Sequence, residues 1–100
     1  MLIVAGHVQV DPSDLDAFTA DIEALARRSR RRGGNQFYAV AVDDRDAARL
    51  LVVERWRDQP SLAAHLRASD TCEFVARWQD RMSADILKYD ATNGRPVMED

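Results

Sequence analysis

From Leu2 to Val10, in LIVAGHVQV, apolar and polar positions come to alternate: Val4, Gly6, Val8 and Val10 share one face, and Ile3, Ala5, His7 and Gln9 the other. A two-residue period predicts a β-strand with one firmly apolar side. The DPSD that follows supplies a helix start, with Asp11 or Ser13 as cap and Pro12 suited to the first turn. The period then lengthens. Leu15, Phe18, Ile22, Leu25 and Ala26 recur at steps of three and four, one apolar stripe that predicts a helix to about Arg31, stopped by Gly33 and Gly34.

NQFYAVAV (Asn35 to Val42) reads as a second strand, DDRDAAR as a polar turn, and LLVVERW (Leu50 to Trp56) as a third and very apolar strand. RDQPSLAAHL opens a short helix near Pro60. SDTCEFVARWQDRM continues as a second helical piece, with Phe74, Val75, Trp78 and Met82 on one side. ADILKYDA is a weaker fourth strand. The order strand, helix, strand, strand, broken helix, strand predicts an α+β ferredoxin-like sandwich: a four-stranded antiparallel sheet with helices on one face. Residues 1–91 form the expected domain. Residues 92–100, TNGRPVMED, carry no period and are expected to be a partner-contacting arm or a disordered tail.

The runs LIVA and LLVV imply burial on both faces of the sheet. Two helices cover one face, and the other would be too large an apolar patch for a monomer. A second copy packed sheet to sheet about a twofold axis is the expected cover, so a homodimer is predicted.

Composition narrows the function classes. The chain has 100 residues, 14 basic against 17 acidic, for a net charge of -3. That balance argues against nucleic acid as a partner. The basic run RRSRRR (Arg27 to Arg32) is the local exception. It reads as a solvated helix C-terminus or, alternatively, as a rim for phosphate or an acidic substrate. The single cysteine, Cys72, permits no internal disulfide and reads as a small buried residue or a thiol near a helix start. Two distant histidines make no metal site. The apolar N-terminus lacks the basic start and cleavage signal of an export sequence, and no segment has bilayer-spanning length. A soluble cytoplasmic protein is expected, with no membrane partner.

No serine-histidine-acid order, phosphate loop or dinucleotide fingerprint is present. What remains is a pocket. Trp56 ends the third strand and His65 lies on the helix that follows. Leu62 and Leu66 are expected to face inward, which leaves His65 on the shoulder of the buried side. There it is either tied to a backbone carbonyl or stands neutral at the rim of a cleft, able to take or donate a proton. Trp56 is either a core or interface anchor or a ring wall. Phe37 and Tyr38 point to opposite sides of their strand, so one at most lines a helix-side cleft. Phe74 and Trp78 read first as core, Asn35 as turn chemistry or a ligand contact, and His7 as an interface contact. Gly6, lacking a side chain on the helix-side face, would leave room for a ligand.

These residues carry a resemblance. VERWRDQPSLAAHL resembles a pattern of Glu-x-Trp at a strand end, a polar turn and then Leu-x-x-His on a helix, matched by Glu54, Trp56, Leu62 and His65. GGNQFY resembles a Gly-x-x-x-Tyr strand start, matched by Gly34 and Tyr38. VQVDPSDLDAF resembles the corresponding first strand and helix start. Over roughly residues 2 to 90 the chain is similar to the antibiotic biosynthesis monooxygenase family of dimeric α+β barrels. The resemblance implies a dimer with a cleft between sheet and helices in each subunit. It also implies activities that range from cofactor-independent oxidation of quinols or anthrones to heme degradation and isomerisation of a phosphorylated autoinducer.

Departures from the family pattern bear on this choice. Gly33 stands where a proline is usual. Thr71 and Cys72 stand where histidine and phenylalanine would fall. Val75 lies near the place of the heme-degrading branch's axial histidine, which disfavours that activity. Asn35 to Tyr38 fits the isomerase-type strand start. The resemblance thus implies a cofactor-independent monooxygenase acting on a small aromatic substrate with O2. His65 would be base or hydrogen-bond partner, Tyr38 a further polar contact, and Trp56, Phe74 and Phe37 ring walls. An isomerase using His65 as proton shuttle and a non-catalytic binding dimer are the alternatives.

Overall fold

The computed structural model describes residues 1–99. Strand β1 (Leu2–Val10) leads through a 3-10 turn (Pro12–Asp14) into helix α1 (Leu15–Ser29), then β2 (Asn35–Asp44), β3 (Arg49–Trp56), α2 (Gln59–Arg67), α3 (Ser69–Trp78) and β4 (Met82–Asp90). The strands form one antiparallel sheet in the order β2-β3-β1-β4. This is the ferredoxin-like α+β sandwich expected from the order of elements.

The helix boundaries follow from local chemistry. Asp58 caps α2 by accepting the Ser61 N–H at 2.9 Å, with Pro60 in the first turn. Ala68 takes an extended conformation between α2 and α3 and breaks what would otherwise be one helix. Helix α1 ends at Ser29, two residues before the expected stop. The Ser29 hydroxyl bonds the Leu25 carbonyl at 2.7 Å, and Arg31 and Arg32 close tighter turns onto Arg28 and Ser29. Gly34 then reverses the chain at φ 82°, and a Cβ there would collide with the Ser61 side chain. The β2–β3 turn is shorter than expected, because pairing extends to Asp44 and Arg49 through a bulge.

Two buried clusters fill the space between sheet and helices. One gathers Phe18, Leu25, Leu50, Val52, Phe74 and Trp78, with the Phe18 ring 5.5 Å from Phe74 and 5.0 Å from Trp78. The other gathers Leu2, Val4, Ala26, Tyr38, Trp56 and Leu62. Val40 and Ile86 pack against both. β4 is the thinly covered edge, with Met82 and Ile86 half-buried and the rest exposed. On the helix-free face Phe37, Leu51, Leu87 and Tyr89 are exposed, and His7 lies 3.5 Å from Asp43.

The expectations for Cys72 and Gly6 change. Cys72 is exposed rather than buried. Residues 91–99 have no regular secondary structure beyond a turn, their first residue tied to Met1 by paired backbone bonds of 2.9 and 3.1 Å. Asp100, the end of the expected tail, lies outside the described residues. Gly6 does face the helix side, but the space its side chain would fill belongs to β4: an added Cβ would run into the Asp85 carbonyl oxygen and Ile86 Cα. The glycine serves close strand approach, not a ligand. Gly6→Ala is therefore expected to cost at least about 1 kcal/mol in urea unfolding. An unchanged midpoint would show that β4 can back away from β1.

Candidate active site

Alternation along β3 turns Leu50, Val52, Glu54 and Trp56 toward the helices. A carboxylate in that phase is unusual and must find partners. The Trp56 indole N–H donates to Glu54 Oε1 at 2.8 Å, and Tyr38 stands opposite Glu54 in the β2–β3 register. Burial raises the Glu54 pKa, while hydrogen bonds from Trp56 and Tyr38 pull it back. The Tyr38 hydroxyl is pushed well above its ordinary range by burial and by the Glu54 charge.

On α2 the inward residues are Ser61, Leu62 and His65. Leu66 is exposed instead, so His65 occupies the middle of the buried face rather than its shoulder. Its ring is 3% exposed and stacks on Trp56 at 4.8 Å and 27°. Tyr38 meets it edge-on at 5.7 Å. Arg32 Nη1 lies 2.6 Å from His65 Nδ1. A guanidinium has donors only, so Nδ1 must accept, and the proton of the neutral ring sits on Nε2. Burial first, then the Arg32 charge, lowers the His65 pKa to about 4, with Asp70 opposing in part.

Between these groups and the sheet lies a cavity of about 160 Å³. Val8, Ile22, Leu25, Val52, Phe74 and Ile86 give it apolar walls, and His65, Tyr38, Glu54 and Thr71 supply its polar groups. Its rim includes the exposed Leu66 and Val75 and the β4 residue Ala84. Nε2 of His65 has no hydrogen-bond partner among the described residues, which leaves it as the ring nitrogen available to the cavity.

Of the residues expected at a site, His65, Tyr38 and Phe74 come together on this cavity. Trp56 does not line it: fully buried, it backs the imidazole and holds Glu54. Phe37 is on the opposite face, beneath the Arg55 guanidinium at 5.1 Å. Asn35 donates to the Phe37 carbonyl at 3.2 Å, a turn role. Gly6 is filled by β4, as above. Glu54, Arg32 and Thr71 join the site beyond the residues the sequence pattern marks. Glu54 had a readable signal in its inward phase on β3, whereas Arg32 was one cation among five in a run.

That run divides. Arg28 pairs with Asp70 at 3.0 Å and Arg30 donates to the Tyr38 carbonyl at 2.8 Å, while Arg27 and Arg31 stay in solvent. Among the described residues, no group of three or more His, Cys, Asp or Glu side chains is placed to hold a metal, and no helix is long and apolar enough to cross a membrane.

Fold and cavity together define a ferredoxin-like sandwich with an internal apolar cleft between sheet and helices. The family model for antibiotic biosynthesis monooxygenases matches residues 1–77, and the chain belongs to that family. It is 22% identical over 86 residues to YcnE of Bacillus subtilis, named as a proposed monooxygenase, covering 86% of this chain and 90% of that protein. An uncharacterised Synechocystis protein, sll1783, is 28% identical over 88% of this chain and 61% of its own length. A Deinococcus radiodurans crystal structure, described as a proposed antibiotic biosynthesis monooxygenase, superposes with a TM-score of 0.89 at 18% identity. The match covers 99% of this chain and 100% of that one.

The buried imidazole links stability to pH. The unfolded ring binds a proton near pH 6.5 and the folded ring only near pH 4, so acidification through that window favours unfolding. His65 alone is expected to make the protein less stable at pH 4 than at pH 7 by about 3 kcal/mol. Denaturant titrations of wild type and His65→Phe should differ by that slope, and parallel pH profiles would contradict the assignment.

Proposed function

We propose that the protein is a cytoplasmic, homodimeric, cofactor-independent monooxygenase that oxidises a quinol, anthrone or related phenol with O2. The observation that carries this reading is the neutral His65 ring, whose Nδ1 is taken by Arg32 and whose Nε2–H is left to an apolar cavity shared with Glu54 and Tyr38. The substrate is its own reductant. Glu54, whose pKa burial raises, takes the phenolic proton, and the His65 N–H holds the resulting oxyanion, with Tyr38 steadying Glu54. The phenolate passes one electron to O2, the aryloxyl radical and superoxide combine at a ring carbon bearing hydrogen, the peroxide anion takes back the proton held on Glu54, and the hydroperoxide loses water, with that carbon's hydrogen, to leave a quinone carbonyl. One O2 is consumed per substrate, with one oxygen atom in product and one in water. The apolar walls keep bulk water from the radical pair.

Size favours a quinol over an anthrone. A dry cavity of roughly 150 Å³ holds one benzene ring, close to the 160 Å³ found here. A fused tricycle would need the rim at Leu66 and Val75 to part. Substituents on a single ring could leave through that rim. The isomerase alternative has less support. The His65 lone pair is already engaged, and the Arg32 guanidinium nearest the cleft is committed to protein partners rather than free for a phosphate.

Polarographic oxygen uptake should therefore appear with single-ring hydroquinones before anthrones, and His65→Ala should lower kcat by about 10²–10³-fold, the cost of one preorganised oxyanion donor. No uptake with any phenol, together with a thermal shift on binding one, would make this a binding protein instead.

Pairing through the helix-free face is supported by Phe37, Leu51, Leu87 and Tyr89, which lie exposed on one sheet surface. Analytical ultracentrifugation should give a dimer at micromolar concentration, converted to monomer by Leu51→Asp. A wild-type monomer would defeat the pairing.

A further inference from the structure

Arg32 is the member of the basic run that turns inward, with a side chain 20% exposed against 54% for Arg28. Its Nη2 pairs with Asp70, and its Nη1 lies 2.9 Å from Ser29 Oγ, 3.4 Å from Thr71 Oγ1 and 2.6 Å from His65 Nδ1. Asp70 is itself fixed by Arg28 at 3.0 Å and sits in the first turn of α3, where a carboxylate is favoured. The guanidinium is thus anchored independently of the imidazole it touches.

We propose that Arg32 is a positioning residue for the oxygenase reaction: by occupying the Nδ1 lone pair it fixes His65 as an Nε2–H donor, so that the cleft holds the phenolic oxygen of its substrate as the anion. This rests on the reading of the cleft as a phenol-oxidising site. The logic inverts the familiar arrangement in which a carboxylate behind a histidine steadies the imidazolium and makes the ring a base. A cation behind the ring does the reverse. His65 gains no proton without placing like charges 2.6 Å apart, and arginine keeps its charge at every working pH.

The remaining neighbours fit this role. Trp56 covers one ring face, Tyr38 meets the edge, and Thr71 Oγ1 lies 3.5 Å from Nδ1, on the same side as Arg32. Asp70 is spent on Arg32 and Arg28. Glu54 is the acidic side chain that lines the cleft. Once it has accepted the phenolic proton it is neutral, so anion and carboxylate never carry charge together.

Two readouts test this apart from turnover. In ¹⁵N NMR of the wild type, His65 should report the neutral Nε2–H tautomer from about pH 6 to about pH 8. In Arg32→Met the ring should exchange between tautomers and titrate at higher pH. 4-Nitrophenol, whose anion is coloured, should bind wild type as the phenolate at a pH where the free probe is mostly protonated, and Arg32→Met should bind that anion about tenfold or more weakly.

If Arg32→Met does not fold, the wild type still decides. An Nδ1–H tautomer, a protonated ring above about pH 6, or a probe bound as the neutral phenol would overturn the proposal. Absence of oxygen uptake beside an Nε2–H ring and a bound phenolate would defeat the monooxygenase reading and leave the positioning role standing. Uptake with an Nδ1–H ring would do the opposite.

Discussion

A neutral imidazole held against a permanent positive charge, with little water to separate them, is the constraint around which this molecule is organised. Arg32 and His65 would repel each other if the ring were protonated, and burial alone disfavours that state. The surrounding structure makes the contact tolerable. Asp70 and Arg28 anchor the guanidinium from the start of α3 and the end of α1, and the Trp56 indole supplies a flat apolar surface for the ring. The tight turns after Ser29 bring Arg32 back toward α2 rather than on into solvent. A helix continuing to Arg31 would have carried its last side chains past the cleft.

The cavity sits where the two core clusters fail to merge. Phe18, Phe74 and Trp78 fill one end tightly, and Trp56 with Leu62 fills the other. Between them the chain breaks at Ala68, so neither α2 nor α3 lies fully across the sheet there. Protein interiors rarely leave a gap of this size without cost. Four polar side chains in the same gap add desolvation to that cost. A core optimised for stability alone would place a leucine at Glu54 and another at His65, and such replacements of buried polar groups are often neutral or stabilising. Local departures of this kind are where function is to be sought.

The fold was legible because each strand and helix stated its own period. The alternation of β1, the stripe of Leu15, Phe18, Ile22 and Leu25 in α1, and the apolar run of β3 are satisfied by the structure with boundaries shifted by a residue or two. The shifts occur where side chains compete with backbone, as at Ser29. The site was legible only in part. His65 and Tyr38 were visible because they are polar or amphipathic residues at inward positions of short elements. Glu54 stands in the inward phase of β3, but alternation alone does not distinguish a buried carboxylate from one that reaches solvent at the strand end. Arg32 could not be singled out, because reach and turning direction decide which arginine of a run enters the protein. For Gly6, a strand's alternation says which side a residue faces but not whether a neighbouring strand or a helix fills the space there, and for Phe37 it says that Tyr38 faces the other way but not which of the two meets the helices.

The thin cover over β4 bears on how such a cleft can work. Ala84 and Ile86 contribute to its wall from a strand that is otherwise exposed, and Leu66 and Val75 at its rim are apolar yet in contact with solvent. An apolar rim favours a ring leaving water, whereas the polar groups come from β2, β3, α2 and the first turn of α3. A ligand of the proposed phenolic class entering from the β4 side would therefore travel with its hydrocarbon against hydrocarbon and find hydrogen-bonding partners at the end of the path. Orientation follows from that gradient without any charged residue at the entrance. The charge that matters stands behind His65, where it acts on the ring rather than on solvent and where salt screens it little.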